Sequence, residues 1–169
     1  MGHRKVWVLV ALAVVGCTSG DAIVGSPALE SLDELLPAGV HGHFLIGPYA
    51  AGRQTVHVVL EAREVDFSSY QGVVDFDQGV FRLVSVSAPK TDTHFFNQAA
   101  AANGRLPIAG FATDGFAEPI AITLSFSAPR AFKTGDIYLK LDVVGTSVGA
   151  EVPPALLYLI LALVQGGGG

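Results

Sequence analysis

Cysteine is almost absent from this sequence, and its scarcity excludes two kinds of structure. Cys17 is the only cysteine among 169 residues. No internal disulfide can form, and no metal site can draw on several cysteine ligands. Basic residues are also few, with 10 Lys and Arg against 15 Asp and Glu and a net charge of −5. Because phosphate binding needs a basic surface, a nucleic-acid partner is disfavoured.

Residues arranged for catalysis or metal binding are also lacking. We expect no Gly-x-Ser-x-Gly nucleophile elbow, and the serines fall in predicted strands or turns, so the sequence does not indicate an enzyme. Asp75 and Asp77 offer two carboxylates, but Gly79 stands at the third ligand position of a calcium loop, which favours a solvated strand end. His41 and His43 lack a clear third ligand. We therefore predict neither a metal nor a cofactor.

The amino terminus has the pattern of an export signal. A basic stretch at residues 3–5 precedes an apolar run at 6–15, which is too short to cross a bilayer that needs roughly 20 helical residues. Residues 14–17, VVGC, resemble the lipobox of bacterial lipoproteins. The resemblance implies a lipid on the Cys17 sulfur, cleavage after Gly16 and a membrane anchor on the extracytoplasmic side of the bacterial envelope, in the periplasm or at the cell surface. The alternative is an ordinary secretory signal or a short uncleaved anchor in which Cys17 is incidental.

A short amphipathic helix is predicted between this signal and the main domain. Pro27 suits a first helical turn, Leu29, Leu32 and Leu36 share one face, and Pro37 ends the helix. The chain thus divides into a signal peptide, a lipidated tether with a short helix, a β-domain, and an apolar carboxyl-terminal segment with a glycine tail. Their bounds are 1–16, 17–41, 42–147 and 148–169.

A period of two dominates the central part of the chain. In residues 120–127, IAITLSFS, the even positions are large and apolar, which predicts a strand with one buried face. Val56, Val58, Leu60 and Ala62 repeat the pattern. Leu139, Leu141 and Val143 do so too, opposed by Lys140 and Asp142. Further strands are predicted at 43–46, 71–76, 80–87 and 106–111, separated by turn-forming sequences. Seven or more short strands predict an all-β fold, an antiparallel two-sheet β-sandwich.

Residues 54–144 resemble a cohesin-type module, a β-sandwich akin to some carbohydrate-binding modules. The resemblance rests on residues 65–77, VDFSSYQGVVDFD, on 80–86, VFRLVSV, on 95–97, FFN, before the turn at Asn103 and Gly104, and on the strand at 120–126. It implies noncovalent recognition of a partner, but these motifs fix no partner-contact residue. The domain departs from the family in being short, in lacking a repeat and in carrying an apolar tail.

Aromatic side chains are the candidates for a binding surface. Tyr49, Tyr70 and Tyr138 could form a sugar-stacking or protein-binding patch, with Tyr138 favoured because it lies on the polar side of its strand. Phe95 and Phe96 could join them, although we expect the phenylalanines to be core residues.

The carboxyl-terminal residues 155–164 carry no charge. As a helix they would span only about 15 Å and could not cross a bilayer alone. They could lie on the membrane, dock on another membrane protein, or cover the sandwich as an extra element. The residues proposed for membrane or partner contact are Leu156, Leu157, Tyr158, Ile160 and Leu161.

Three functions are consistent with these features. The first is a lipid-anchored, non-catalytic module for protein–protein interaction. The second is a carbohydrate-binding lipoprotein with a polysaccharide ligand, which exposed aromatic rings would favour. The third is an accessory extrinsic subunit of a membrane protein complex, which an exposed carboxyl-terminal segment would favour.

Overall fold

Two β-sheets make up the described part of the protein. The computed structural model describes residues 37–133, 135–154 and 157–160. Within these ranges it contains nine strands and one short 3-10 turn at Ala100–Asn103. The strands are β1 (Gly39–Ile46), β2 (Arg53–Arg63), β3 (Ser69–Phe76), β4 (Arg82–Ser87), β5 (Thr93–Phe96), β6 (Arg105–Phe111), β7 (Ile120–Ser127), β8 (Ile137–Gly145) and β9 (Leu157–Ile160).

The larger sheet has five strands in the order β4-β7-β2-β1-β9. β1 and β2 form a hairpin that is paired along its full length, from Gly39 opposite Arg63 to Ile46 opposite Val56. β7 pairs antiparallel with β2 and with β4. β9 is the exception, because it runs parallel to β1, with Leu157 beside Val40.

The smaller sheet has four strands in the order β5-β6-β3-β8, all antiparallel to their neighbours. Between Gln71 and Gly72 the pairing of β3 with β8 shifts by one residue, so that Gln71 lies opposite Val143 while Gly72 lies opposite Leu141. Asp142 is the extra residue of this bulge. An extra residue turns the following side chains to the opposite face of the sheet.

The core lies between the two sheets and follows the alternation of the strands. In β7, Ile120, Ile122, Leu124 and Phe126 are at most 2% exposed, while the intervening residues reach solvent to a greater extent. Leu60 of β2 and the inward side chains of the smaller sheet meet them in one hydrophobic cluster. Burying each such side chain stabilises the fold by about 1.5–3 kcal/mol, so these faces determine how the sheets pack.

The predicted all-β, two-sheet fold is confirmed, and the structure differs from the sequence prediction in four local features. β5 and β9 were not predicted as strands. The bulge turns Val143 outward, where it is 43% exposed, and Val144 takes its place in the core. Ala62 is exposed near the end of β2. Among the described residues no helix is both long enough and apolar enough to cross a membrane.

Candidate functional site

The outer face of the four-stranded sheet carries four large apolar side chains that are exposed to solvent, interspersed with the polar residues Gln71, Asp75, Arg105 and Lys140. Phe95 is 57% exposed, Tyr138 52%, Phe111 48% and Val143 43%. These four side chains, which we call the apolar face, come from the edge strands β5 and β8 and from β6. Single exposed apolar residues are common on proteins, whereas several on one sheet face suggest a binding surface.

Strand pairing explains how these residues come to share one face. Phe95 pairs with Ala109, which pairs with Gln71, which pairs with Val143. This row therefore spans three strand spacings, about 14 Å. Phe111 lies one row away, and its ring centroid is 6.4 Å from that of Phe95 at an interplanar angle of 23°. The two phenylalanines thus form a stacked pair at one side of the face.

A rigid aromatic layer supports the apolar face from behind. Tyr70 of β3 is only 3% exposed, and its hydroxyl lies 2.9 Å from Nδ1 of His94 in β5. Phe116 packs beside both rings, with centroids 6.0 Å from Tyr70 and 6.2 Å from His94. Gly110 leaves room for them, because a Cβ there would lie 2.5 Å from the Tyr70 ring and 2.7 Å from His94 Nδ1.

Burial shifts the protonation of the two polar groups in this layer. It raises the pKa of Tyr70 well above its usual range, with a smaller contribution from the charge of Asp92. Burial also lowers the pKa of His94, and the same carboxylate partly opposes that shift. Both groups are therefore neutral at pH 7, and they join β3 to the edge strand β5.

Carboxylates collect at one end of the apolar face. Asp92 and Asp114 line a shallow recess of about 250 Å³ whose wall also includes Phe111. At the opposite end the charges are balanced, since Arg105 Nε lies 3.9 Å from Asp75 Oδ1. The face thus combines apolar rings with an acidic recess beside Phe111.

The predicted tyrosines do not form one patch. Tyr138 lies on the apolar face, as its strand parity indicated. Tyr49 is 37% exposed but lies in the loop between β1 and β2, where its hydroxyl donates to the Ala128 carbonyl at 2.9 Å. The assignment of Tyr70 to a binding surface is wrong, because its inward position on β3 places the ring in the core.

The phenylalanines were assigned incorrectly from the sequence. Phe95 was expected in the core but is the most exposed ring of the apolar face, while Phe96 next to it is half-buried. Phe111 was not considered. Phe111 lies an odd number of residues after the buried Leu106 and Ile108 of the same strand, so alternation places its side chain on the outer face. This signal could have identified it.

Both ends of the chain lie largely outside the residues that the structure describes. The predicted signal, Gly16, Cys17 and the amino-terminal helix all precede the described residues. At the carboxyl terminus, residues 157–160 form an extra strand of the sandwich instead of a helix, and Leu157 packs against the core. Leu156 and Leu161 fall outside the described residues. The contact proposed for this segment stays a prediction.

The described residues contain no group of three or more His, Cys, Asp and Glu that could hold a metal. His41 is fully buried, with Nε2 2.8 Å from the Pro37 carbonyl, and His43 Nδ1 lies 3.5 Å from Glu61. Burial, and to a smaller degree His41, lowers the pKa of His43. Asp77 accepts a hydrogen bond from the Gly79 amide at 2.9 Å, as in an ordinary turn.

The expectation that the chain lacks a Gly-x-Ser-x-Gly sequence is wrong. Residues 145–149 read GTSVG, but they form the turn after β8 and are not followed by a helix as in a nucleophile elbow. The Ser147 hydroxyl and amide both donate to Asp66. These contacts hold the turn in place and engage the hydroxyl with a carboxylate instead of a histidine.

The architecture is that of a cohesin-type β-sandwich, with sheets of five and four strands. Similar solved structures include a non-cellulosomal cohesin from the hyperthermophilic archaeon Archaeoglobus fulgidus, with a TM-score of 0.55 and 12% identity over 75% of this chain and 92% of that one. The solution structure of CaCohA2 from Clostridium acetobutylicum gives a TM-score of 0.52 and 15% identity over 78% and 94% of the two chains.

A crystal structure of CaCohA2 in complex with a single-residue variant of CaDoc0917 is also similar. Its TM-score is 0.52, with 13% identity over 73% of this chain and 94% of that one. No protein-family model and no curated protein matches the sequence. The structural likeness, at these identities, establishes the fold.

Proposed function

We propose that this chain is a non-catalytic binding module that recognises a protein partner through the apolar face. The observation that carries the proposal is the group of four large apolar side chains, each 43–57% exposed, on the outer side of one sheet. Exposed aromatic side chains on a rigid support are typical anchors of protein interfaces, because they bury a large area and lose little entropy on binding.

The acidic recess beside Phe111 indicates the chemistry of the partner. Asp92 and Asp114 line it, so it suits a lysine or arginine side chain. We therefore expect a folded protein surface with apolar side chains that cover Phe95 and Phe111 and a basic side chain that enters the recess. Complementary charge of this kind speeds association and fixes orientation.

The comparison with solved structures supports a protein as the partner. CaCohA2, which has the same fold, has been solved in a complex with a variant of CaDoc0917. A non-catalytic role agrees with the turn at residues 145–149, where the Ser147 hydroxyl donates to the Asp66 carboxylate.

Differential capture tests this proposal. The full-length protein, Phe111→Ser and the matched control Val84→Ser are immobilised and exposed to envelope extracts of the source organism. Val84 is 48% exposed, like Phe111, but lies in β4 of the other sheet. We expect the wild type and Val84→Ser to retain the same protein. Truncating an interface anchor typically weakens binding by about 30-fold or more, so Phe111→Ser loses it.

The purified partner then gives the quantitative result. Isothermal titration should show the same ranking of the three proteins, and replacing Asp92 with Asn should slow association at low salt. Capture of the same proteins by all three variants would refute the apolar face as the binding site.

We also propose that a lipid on Cys17 holds the module at the bacterial envelope. The sequence VVGC at 14–17 supports this, since it combines an apolar leader with a single cysteine at the cleavage position. Mass spectrometry of the protein expressed in a lipoprotein-processing bacterium should find an acylated residue 17 and no residues before it. Cys17→Ser should prevent acylation. An unmodified Cys17 in the mature wild type would contradict the proposal.

A further inference from the structure

The outer face of the five-stranded sheet differs sharply from the apolar face. Three adjacent strands, β4, β7 and β2, place three cross-strand rows of residues on it. These rows carry only hydroxyl, guanidinium and imidazole groups. We call the surface the hydroxyl face; its residues are Arg53, Thr55, His57, Arg82, Ser85, Ser87, Thr123, Ser125 and Ser127.

The strand pairing fixes the arrangement of these groups. Ser127 pairs with Arg53 on one side and with Arg82 on the other. Because neighbouring strands are about 4.8 Å apart, the two arginine backbones lie about 10 Å apart across the sheet. In the third row His57 Nδ1 lies 3.1 Å from the Thr123 hydroxyl oxygen.

The absence of carboxylates among these nine positions is the notable feature. The chain as a whole has 15 acidic residues against 10 Lys and Arg, and a sheet face exposed to water commonly carries both signs of charge. Within the described residues, no ion pair involves Arg53 or Arg82, whereas Arg105, Arg130 and Lys140 each pair with an aspartate. The hydroxyl face is therefore a locally basic, hydrogen-bonding surface on an acidic protein.

We propose that the hydroxyl face binds an anionic polysaccharide. Serine and threonine hydroxyls both donate and accept hydrogen bonds, as the hydroxyls of a sugar chain do. The guanidinium groups of Arg53 and Arg82 suit carboxylate or sulfate groups, to which arginine donates two parallel hydrogen bonds. An extended sugar chain that crosses β2, β7 and β4 would contact both the hydroxyl groups and the guanidinium groups.

Other polyanions fit this surface less well. Nucleic acid is recognised through a basic surface with many phosphate contacts, and here two arginines stand on a chain of net charge −5. A membrane surface favours several apolar side chains that enter the lipid, whereas β2, β4 and β7 together expose one large apolar side chain, Val84 at the β4 bulge. The binding site is on the opposite sheet from the apolar face, so it does not depend on the proposed protein partner.

Affinity electrophoresis and isothermal titration of the full chain test the proposal. The probes are polygalacturonate, dextran sulfate and neutral dextran, at about 150 mM salt so that exposed charges are screened. We expect an anionic polysaccharide to bind and neutral dextran not to bind. Preference for polygalacturonate or for dextran sulfate identifies the carboxylate or the sulfate as the recognised group. The double variant Arg53→Gln/Arg82→Gln should bind about 30-fold more weakly or worse.

The double variant Lys90→Gln/Lys133→Gln removes the same charge from loops outside the hydroxyl face and serves as the control. It should bind like the wild type, and thermal unfolding should show that both variants are folded. Equal loss in both variants, equal binding of neutral dextran, or failure of both anionic probes to bind would overturn the proposal. So would equally tight binding of single-stranded DNA or of anionic phospholipid vesicles.

Discussion

Gly110→Ala probes the contact that joins the edge strand β5 to the rest of the apolar face. The added Cβ would lie 2.5 Å from the Tyr70 ring and 2.7 Å from His94 Nδ1, whereas an ordinary carbon contact is about 3.5–4.0 Å. Tyr70 is 3% exposed and cannot move into solvent. The two rings must therefore separate, and the 2.9 Å contact between the Tyr70 hydroxyl and His94 breaks.

The magnitude follows from these two effects. Overpacking a dense core costs about 1–3 kcal/mol, and losing a neutral hydrogen bond costs about 1 kcal/mol more. We expect the free energy of unfolding to fall by about 2–4 kcal/mol. At about 4 °C per kcal/mol for a domain of this size, the Tm falls by about 8–16 °C. Displaced β5 also carries Phe95 away from the apolar face, so partner affinity should fall too.

Gly79→Ala is the matched control for this prediction. Its Cβ would meet only the carboxylate of Asp77, at 3.2 Å, in an exposed turn. We expect a change in unfolding free energy of about 0.5 kcal/mol or less. Urea unfolding of wild type, Gly79→Ala and Gly110→Ala gives the comparison. If Gly110→Ala is as stable as Gly79→Ala, the tight packing of Tyr70 and His94 against β6 is refuted.

Three further predictions concern pH, an ion pair and the core. Burial lowers the pKa of His94 in the folded chain, so the unfolded chain binds more protons as pH falls from about 7 to 5 and the Tm drops. The variant His94→Gln should reduce this dependence of Tm on pH. An unchanged dependence would contradict the lowered pKa of His94. Hydrogen bonding from Arg130 lowers the pKa of Asp136, so the stability that this ion pair contributes is lost in acid as Asp136 becomes protonated. The variant Asp136→Asn should lower the free energy of unfolding at pH 7 by about 1 kcal/mol. Urea unfolding at the wild-type midpoint would argue against a stabilising pair. The variant Leu124→Ala, at a fully buried position, should lower the free energy of unfolding by about 2–5 kcal/mol. The control Val84→Ala should change it little. Similar losses of unfolding free energy in both variants would be inconsistent with the core as described.

The fold was predictable from the sequence because alternation is strongest where one face of a strand is buried. Ile120–Ser127 shows this most clearly, since every second residue is large and apolar. β5 and β9 have only four residues each, too few for a periodic signal. The parallel pairing of β9 with β1 depends on a long-range contact that no local pattern encodes.

The candidate site was harder to predict than the fold. Phe95 and Phe111 are exposed because alternation along their strands turns them to the outer face of the sheet. Their apolar side chains alone suggested a position in the core. For Val143 parity itself failed, because the Asp142 bulge reverses the facing of the residues that follow it. Tyr70 was misplaced for the opposite reason, since a tyrosine in a strand can bury its ring when its hydroxyl finds a partner such as His94.

Thiol labelling measures most directly whether the partner covers the apolar face. In the full chain with Cys17→Ser, Phe111→Cys and Val84→Cys each introduce a single thiol at a position that is 48% exposed. Saturating partner protein should slow the alkylation of residue 111 strongly and leave residue 84 unchanged. Protection of residue 84 with residue 111 still reactive would place the partner on the other sheet and contradict the account.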